Sequence, residues 1–270
     1  LDFQMGDVLL KAKDRLTSFR LALAASMNHA SLPVIERPKV ALISTGDELV
    51  MPGQATGPGQ IIASNTFGLG ASVENVGAVL HDFGIVEDTH NALEGIFQSA
   101  LDADCDLILT TGGASVGDHD LVLPVAEKLG FIFEITKIAM RPGKPFLFGK
   151  LQRDGKTVYL CGLAGNPVSS LVAFHVFVRP LIQTLSGQTA EAVTMQTAVL
   201  GRDMPQNDER AEFMRATVEK GANGALIATA FESQDSSMLA NLVRADCLLY
   251  RPVHAPFAPK GSPCKIVFIA

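Results

Sequence analysis

Cysteine is scarce in this chain. Cys105, Cys161, Cys247 and Cys264 are the only four among 270 residues. None pairs at metal-ligand or redox spacing, and so few exclude a disulfide framework; a reducing, cytoplasmic setting is the default expectation. No uninterrupted apolar run approaches the roughly 18 residues that a membrane span needs. The first residues lack a charged head followed by an apolar run, so no secretory signal is read there. Basic side chains are outnumbered, 22 Lys and Arg against 28 Asp and Glu, for a net charge of -6. That balance argues against a nucleic-acid partner, whose phosphates call for a basic excess. Charged types are only 19% of the chain and apolar types 47%, which leaves material for cores and little for disorder. No internal repeat is visible.

What is present points to two domains, as the length suggests at roughly 150 residues each. Residues 1–37 hold 5 basic and 4 acidic side chains, residues 38–186 hold 9 and 15, and residues 187–270 hold 8 and 9. The net acidity therefore sits mainly in the middle segment, and there strands and helices alternate. Lys39–Ile43, Ala78–Val86 (interrupted at His81-Asp82), Asp106–Thr110 and Thr157–Leu160 read as strands. Residues 64–76, 91–101 and 121–129 read as helices, and Asn166-Pro167 opens a further one that runs to about Leu185. This pattern predicts an α/β domain of three layers, a mainly parallel sheet covered on both faces. After residue 187, Thr194–Val199, Glu212–Val218, Leu226–Thr229 and Lys265–Ile269 alternate as short strands, predicting a small all-β domain. Residues 1–37 are too few for a core of their own.

In an open parallel sheet, ligands bind beyond the carboxyl ends of the strands. Several loops at those ends carry chemistry. Ser44-Thr45-Gly46-Asp47-Glu48 offers hydroxyls and adjacent carboxylates, which suit Mg²⁺ beside a phosphorylated substrate or simply make a polar turn. Glu87-Asp88-Thr89 ends another strand and also fits a helix cap. Thr111-Gly112-Gly113-Ala114-Ser115-Val116-Gly117-Asp118-His119-Asp120 follows a buried strand; its glycines expose backbone N–H groups as an anion cradle. It matches neither the Walker A nor the dinucleotide-binding pattern. Asp118 and Asp120 could cap the next helix or bind a cation, with His119 an exposed neighbour. Lys137 and Met140-Arg141-Pro142-Gly143-Lys144-Pro145 bring three cations to one stiff loop, apt for a phosphate or oxyanion. Gly165-Asn166-Pro167 offers one more helix start, for which capping alone is a sufficient account.

These residues resemble a known family. Ser-Thr-Gly-Asp-Glu-Leu (44–49), Thr-Gly-Gly-Ala-Ser-Val-Gly-Asp-x-Asp (111–120), Arg-Pro-Gly-Lys-Pro (141–145) and Gly-Asn-Pro-Val-Ser (165–169) resemble, in order and spacing, the molybdopterin molybdotransferases, the MoeA and gephyrin E-domain family. Met5–Leu10 through Arg15–Thr17, Arg210–Arg215, and Ser236–Leu239 with Asn241 extend the likeness over essentially the whole chain. The resemblance implies a MogA-like molybdopterin-binding domain at 38–186, a C-terminal β-barrel domain at 187–270, and a remnant of the family's first domain at 1–37. Family members carry roughly another 140 residues before this point, the size of an ordinary domain. Arg141 stands for a frequent lysine, trading a point charge for a planar fork. Ala63, Ala114 and Ala164 replace a common aspartate, valine and proline.

The family reaction inserts molybdate into adenylylated molybdopterin and releases AMP, with Mg²⁺. By resemblance Glu48, Asp88 and Asp120 match acidic active-site residues and metal ligands, and Lys137, Arg141 and Lys144 its basic ones. Substrate contacts are then expected from Thr45, Gly46, Asp47, Gly112, Gly113, Ser115, Gly117, Asp118, Pro142, Gly143, Gly165, Asn166, Pro167 and Ser169. The implied partners are a small-molecule substrate, a second copy of the chain, and molybdopterin adenylyltransferase with other proteins of the cofactor pathway; neither nucleic acid nor membrane is expected. Two alternatives share parts of the pattern: a molybdopterin adenylyltransferase, which looks like the central domain alone, and a non-catalytic scaffold like the gephyrin E domain.

Overall fold

A computed structural model describes residues 2–113, 121–188, 193–222 and 224–269. In chain order the elements are α1 (Ser18–Ser26), β1 (Lys39–Thr45), β2 (Leu49–Val50), β3 (Ile61–Ile62), α2 (Asn65–Val76), β4 (Val79–Val86), α3 (His90–Asp102), β5 (Leu107–Thr111), α4 (Val122–Lys128), β6 (Ile132–Ile135), β7 (Met140–Arg141), β8 (Phe146–Arg153) and β9 (Lys156–Leu163). They continue with α5 (Pro167–Ala173), a π-helical turn (Phe174–Val178), α6 (Arg179–Leu185), β10 (Gln196–Leu200), β11 (Ala211–Lys220), β12 (Leu226–Ala230), α7 (Leu239–Val243), β13 (Cys247–Arg251) and β14 (Pro263–Phe268).

The first sheet has the order β4-β1-β5-β9-β8-β6. Its first four strands are parallel, and β8 and β6 join antiparallel. Alternation along β1 explains the layers. Val40 and Leu42 face a core built with Leu69 and Val73 of α2 and Val168 and Val172 of α5. Ala41 and Ile43 face the opposite core, with Leu93 and Phe97 of α3 and Val122 and Val125 of α4. Being buried on both sides, β1 and β5 read as continuous apolar runs.

The sequence reading named the parallel strands and missed β6 and β8, whose glycine and charged residues (Phe-Leu-Phe-Gly-Lys-Leu-Gln-Arg) blur the period. The interruption expected at His81-Asp82 is an irregularity in pairing rather than an end: β4 continues to Val86, but its register with β1 shifts between Asp82 and Ile85. Thr89, rather than Asp88, caps α3, its hydroxyl accepting from the Ala92 amide. The helix opened by Pro167 does reach Leu185, but it changes register at the π turn just before Pro180, which has no N–H to donate. By length and composition the path Pro167–Leu185 could cross a membrane; here it is a core helix, with Val168, Val172, Phe174, Val178 and Ile182 buried.

The second sheet closes on itself. Strands β12, β10, β14, β13 and β11 follow one another, and β12 pairs back to β11, giving a five-stranded barrel around Ala198, Leu200, Ala216, Leu249 and Ile266. Strand β13 was not foreseen. Nor was the position of β7: Met140 and Arg141 pair parallel with Ala211 and Glu212 of β11, so the first domain lends a strand to the second. Phe213, Leu248 and Val267 of the barrel extend the core of the α2/α5 layer.

His175 lies in the π turn, and burial, aided by the Arg179 charge, pushes its pKa down to about 4. Between about 4 and the ordinary value of 6.5 the unfolded chain binds the extra proton, so stability rises with pH across that window and falls on acidification. Going from pH 7 to pH 5 should cost about 2 kcal/mol through this group. In urea titrations at the two pH values, His175→Gln is expected to remove that part of the acid loss; an unchanged pH difference would exclude His175 as its source.

Candidate active site

Beyond the carboxyl ends of β1, β5 and β9 lies a cleft of about 840 Å³. Its floor is set by a close approach of backbones. Gly112 follows β5 with φ +87°, and a Cβ there would lie 2.0 Å from the Thr45 carbonyl oxygen. The Gly112 amide donates to the Leu163 carbonyl at 3.3 Å, tying the loop to β9 as well. Gly113, at φ +62°, sits over the Thr45 hydroxyl, to which a Cβ would come within 2.8 Å. That hydroxyl is buried and has no hydrogen-bond partner among the described residues. It is therefore a polar group on the cleft floor with bonding capacity unused.

Asn65, the first residue of α2, ties the loops together. Its amide nitrogen donates to Thr111 Oγ1 at 2.9 Å and to the Gly165 carbonyl at 2.7 Å. The next residue, Thr66, shares a 2.7 Å hydroxyl contact with Ser44 at the end of β1. At the start of α2 the Ser64 side chain makes no capping bond, and Asn65 is used across the sheet instead. Asn166 likewise does not cap α5 with its side chain. Its amide donates to Ser236 Oγ at 3.0 Å, and the Val168 amide donates to the Ser236 carbonyl. The barrel's loop thus satisfies the start of a helix in the other domain.

The loop carrying Ser236 is itself pinned. Arg215 is fully buried and donates to the Asp235 carbonyl at 2.8 Å. Burial draws its pKa below the ordinary arginine value, against the favourable charge of Asp235. The Gln234 side chain accepts from the Arg215 amide and donates to the carbonyls of Arg215 and Phe231.

Charge is ordered along the sheet. Glu48 and Asp88 line the cleft beyond β1 and β4, neighbouring strands at one edge. The Glu48 carboxylate folds over Gly46, where a Cβ would meet it at 2.7 Å. Lys144 lines the cleft just before β8, at the other side of β5 and β9, exposed and without an ion pair among the described residues. Three to four strand spacings separate the two signs, roughly 15–20 Å. Arg141 lines the cleft too, but its guanidinium already holds two barrel carboxylates, donating to Glu212 at 2.8 Å and to Asp208 at 2.5 Å. Burial lowers its pKa and these two partners outweigh that, leaving it above the usual arginine value.

The cleft brings together Thr45, Gly46, Glu48, Asp88, Gly112, Gly113, Arg141, Pro142, Gly143, Lys144, Gly165, Asn166, Pro167 and Ser169 of the expected residues. Lys137 is exposed and does not line it. Asp47 does not either; its carboxylate accepts from the Asp88 amide at 3.2 Å and so orients that loop. Ser115, Gly117, Asp118 and Asp120 lie outside the described residues. Sequence reasoning passed over Asn65, Arg210 and Gln234 as site residues, though Arg210 stood in a segment singled out for its resemblance. Among the described residues no group of three or more His, Cys, Asp or Glu could hold a metal. Glu48 and Asp88 nonetheless fit Mg²⁺, a hard cation commonly held by one or two carboxylates together with substrate phosphates.

With this geometry in view, the likenesses to known proteins are specific. A family model described as "Probable molybdopterin binding domain" matches residues 41–184, and one described as "MoeA C-terminal region (domain IV)" matches residues 197–269. The chain is 34% identical over 249 residues to the molybdopterin molybdenumtransferase of Haemophilus influenzae, covering 92% of this chain and 60% of that one. It is 35% identical over 271 residues to the Bacillus subtilis enzyme of the same name, covering 99% and 61%. It therefore spans about 60% of the length of these relatives. The crystal structure of the molybdopterin biosynthesis MoeA protein from Pyrococcus horikosii superposes with a TM-score of 0.81 at 27% identity, over 99% of this chain and 63% of that one.

Gly112→Ala is expected to destabilise the fold by about 2–4 kcal/mol, since neither backbone can give way. Asn65→Leu should cost about 1–3 kcal/mol by stranding two acceptors. Denaturant unfolding reads both; a Gly112→Ala midpoint equal to the parent's would show that the loops are not locked as described.

Proposed function

Because the chain belongs to the MoeA family of molybdopterin molybdenumtransferases, we propose that it acts in molybdenum cofactor biosynthesis by inserting molybdate into adenylylated molybdopterin, with release of AMP and dependence on Mg²⁺. The observation that carries this reading is the order of groups along the sheet: carboxylates beyond β4 and β1, glycines beyond β5, a cation before β8. An elongated ligand with a phosphate bridge and a distant oxyanion-accepting end matches that order.

The chain's own part is to bind and orient. Gly112 and Gly113, packed on Thr45, would form the floor on which a phosphate rests. Lys144 offers a positive charge to molybdate. Glu48 and Asp88, with Asp120 by resemblance, would hold Mg²⁺. Bound there, the ion would offset the charge of the phosphates and polarise them. Water cleaves the phosphoric anhydride, giving AMP and the phosphate monoester of molybdopterin, and the dithiolene sulfurs displace oxygens of molybdate, which leave as water; no covalent enzyme intermediate is required. Bringing two anions together is then mainly an electrostatic task. The same reading carries a homodimer, a cytoplasmic site of action, and handover from a molybdopterin adenylyltransferase.

The test is AMP release from adenylylated molybdopterin, with molybdate and Mg²⁺ each present or omitted. Release that depends on both is expected. Lys144→Ala should lower kcat/KM about 10- to 100-fold, and Glu48→Gln should raise the Mg²⁺ concentration needed for half-maximal rate. Consumption of ATP with unadenylylated molybdopterin would favour the adenylyltransferase instead, and no turnover of either would leave the scaffold reading.

A further inference from the structure

One loop of the barrel, residues 231–238, does two things at once. Gln234, Ser236 and Ser237 line the cleft. Ser236 also meets the start of α5, accepting from the Asn166 side chain at 3.0 Å and from the Val168 amide at 3.2 Å. The anchor of this loop is unusual. Along β11, Met214, Ala216 and Val218 belong to the barrel core, whereas Phe213 belongs to the α2/α5 core. Alternation puts Arg215 on the side of Phe213, between the domains. There it is fully buried, and it donates to a backbone carbonyl, that of Asp235, rather than to a carboxylate. Its Nε and Nη1 have no hydrogen-bond partner among the described residues. A buried guanidinium so sparsely bonded lowers stability, and an apolar side chain of similar volume would fill the same space without that loss. Arg202 repeats the choice at the other end of the loop. Its Nη2 donates to the Phe231 carbonyl at 3.1 Å, and its Nε too lacks a partner among the described residues. Neither arginine lines the cleft, so neither touches a ligand there.

We propose that Arg215 is a positioning residue that gives up stability for geometry: it clasps the barrel loop so that the loop closes the cleft and holds the start of α5 together. Its part in turnover rests on the function proposed above; its part as a clasp between the domains rests on the contacts alone. Those contacts converge on a single residue of β11. The Gln234 side chain accepts from the Arg215 amide at 2.9 Å and donates to the Arg215 carbonyl at 3.1 Å, and the Arg215 guanidinium takes the next carbonyl along, at Asp235, at 2.8 Å. Ser236 follows at once and makes the bridge to α5. Without the guanidinium the Asp235 carbonyl loses its holder, and Ser236 is placed from the α5 side alone. Arg202 contributes less, because the Phe231 carbonyl has a second donor in the Gln234 side chain at 2.9 Å. Lysine can reach one carbonyl as a point charge, whereas methionine fills the space and bonds nothing there.

The experiment compares the full 270-residue chain with Arg215→Met, Arg215→Lys and Arg202→Met. It reads the urea midpoint, amide hydrogen exchange without ligand, and AMP release from adenylylated molybdopterin. Arg215→Met is expected to unfold at the parent's urea midpoint or above it. Its Val168 amide should nonetheless exchange about 10-fold faster, while amides of β1 and β5 keep their parent rates, and kcat/KM should fall about 10-fold. Arg215→Lys should recover most of both losses, and Arg202→Met should change either by no more than about twofold. A residue that merely packs predicts something else: a urea midpoint that falls in step with kcat/KM, and no rescue by lysine. Either result would overturn the proposal, as would failure of Arg215→Met to fold. Parent-like exchange at Val168 in that variant would also sink it. If exchange responds as expected but the parent releases no AMP, the proposed function fails and the clasp stands. If AMP release is as proposed and exchange does not respond, only the clasp fails.

Discussion

Everything at the cleft depends on Gly112 lying against the carbonyl of Thr45. A side chain there would come to 2.0 Å of a backbone oxygen, a distance that no rotamer change relieves. The contact brings the ends of β1 and β5 together and, through the Gly112 amide, reaches β9. Three strand ends that a looser sequence would leave splayed thus share one surface. Asn65 closes that surface from the helix side, so the loops behave as one body rather than as separate turns. Preorganisation of this kind is what an electrostatic mechanism needs, because dipoles that must reorient during reaction lose most of their advantage.

The barrel is joined to this site by more than a linker. Strand β7 belongs to the barrel sheet by hydrogen bonding and to the first domain by chain order. Ser236 satisfies the start of α5, and barrel residues Phe213, Leu248 and Val267 complete a core begun by β1 and α2. Arg141 sits at this seam, paired with Asp208 and Glu212 of the barrel. The cleft is accordingly a property of both domains. Its negative groups come from the α/β part and its cations from the seam.

Much of this was legible in the sequence, and the limits have a physical pattern. Central parallel strands announce themselves because both faces are buried, and glycine loops because few other residues tolerate a positive φ. Both are local signals, and both led to loops that line the cleft. The antiparallel β8 and β6 were hidden, since partly exposed strands with glycine and charge have no clean period. Partners far apart in the chain were hidden too. Asn65 meets acceptors 46 and 100 residues away, and Arg141 meets carboxylates 67 and 71 residues away. Nothing near Asn65 in sequence distinguishes a clasp from a helix cap. Nothing near Arg141 distinguishes a free cation from a spent one. Lys137 shows the converse: a motif can name a residue, but a turn in the backbone decides whether it faces the cleft.

The order of charge follows from topology rather than from any one loop. The crossover from β1 through α2 to the edge strand β4, and the one from β4 back through α3 to β5, place the chain's first carboxylate loops at one edge. The antiparallel return through β8 then carries the basic loop to the other side of the glycines. Had the sheet stayed parallel after β9, the loop before β8 would have emerged at the amino ends of the strands, remote from Glu48 and Asp88. The same reversal lets β7 reach β11, and so brings Arg210 to the rim. A single change of strand direction thus separates the two signs of charge and recruits the second domain, and the proposed reaction of two anions would draw on that separation.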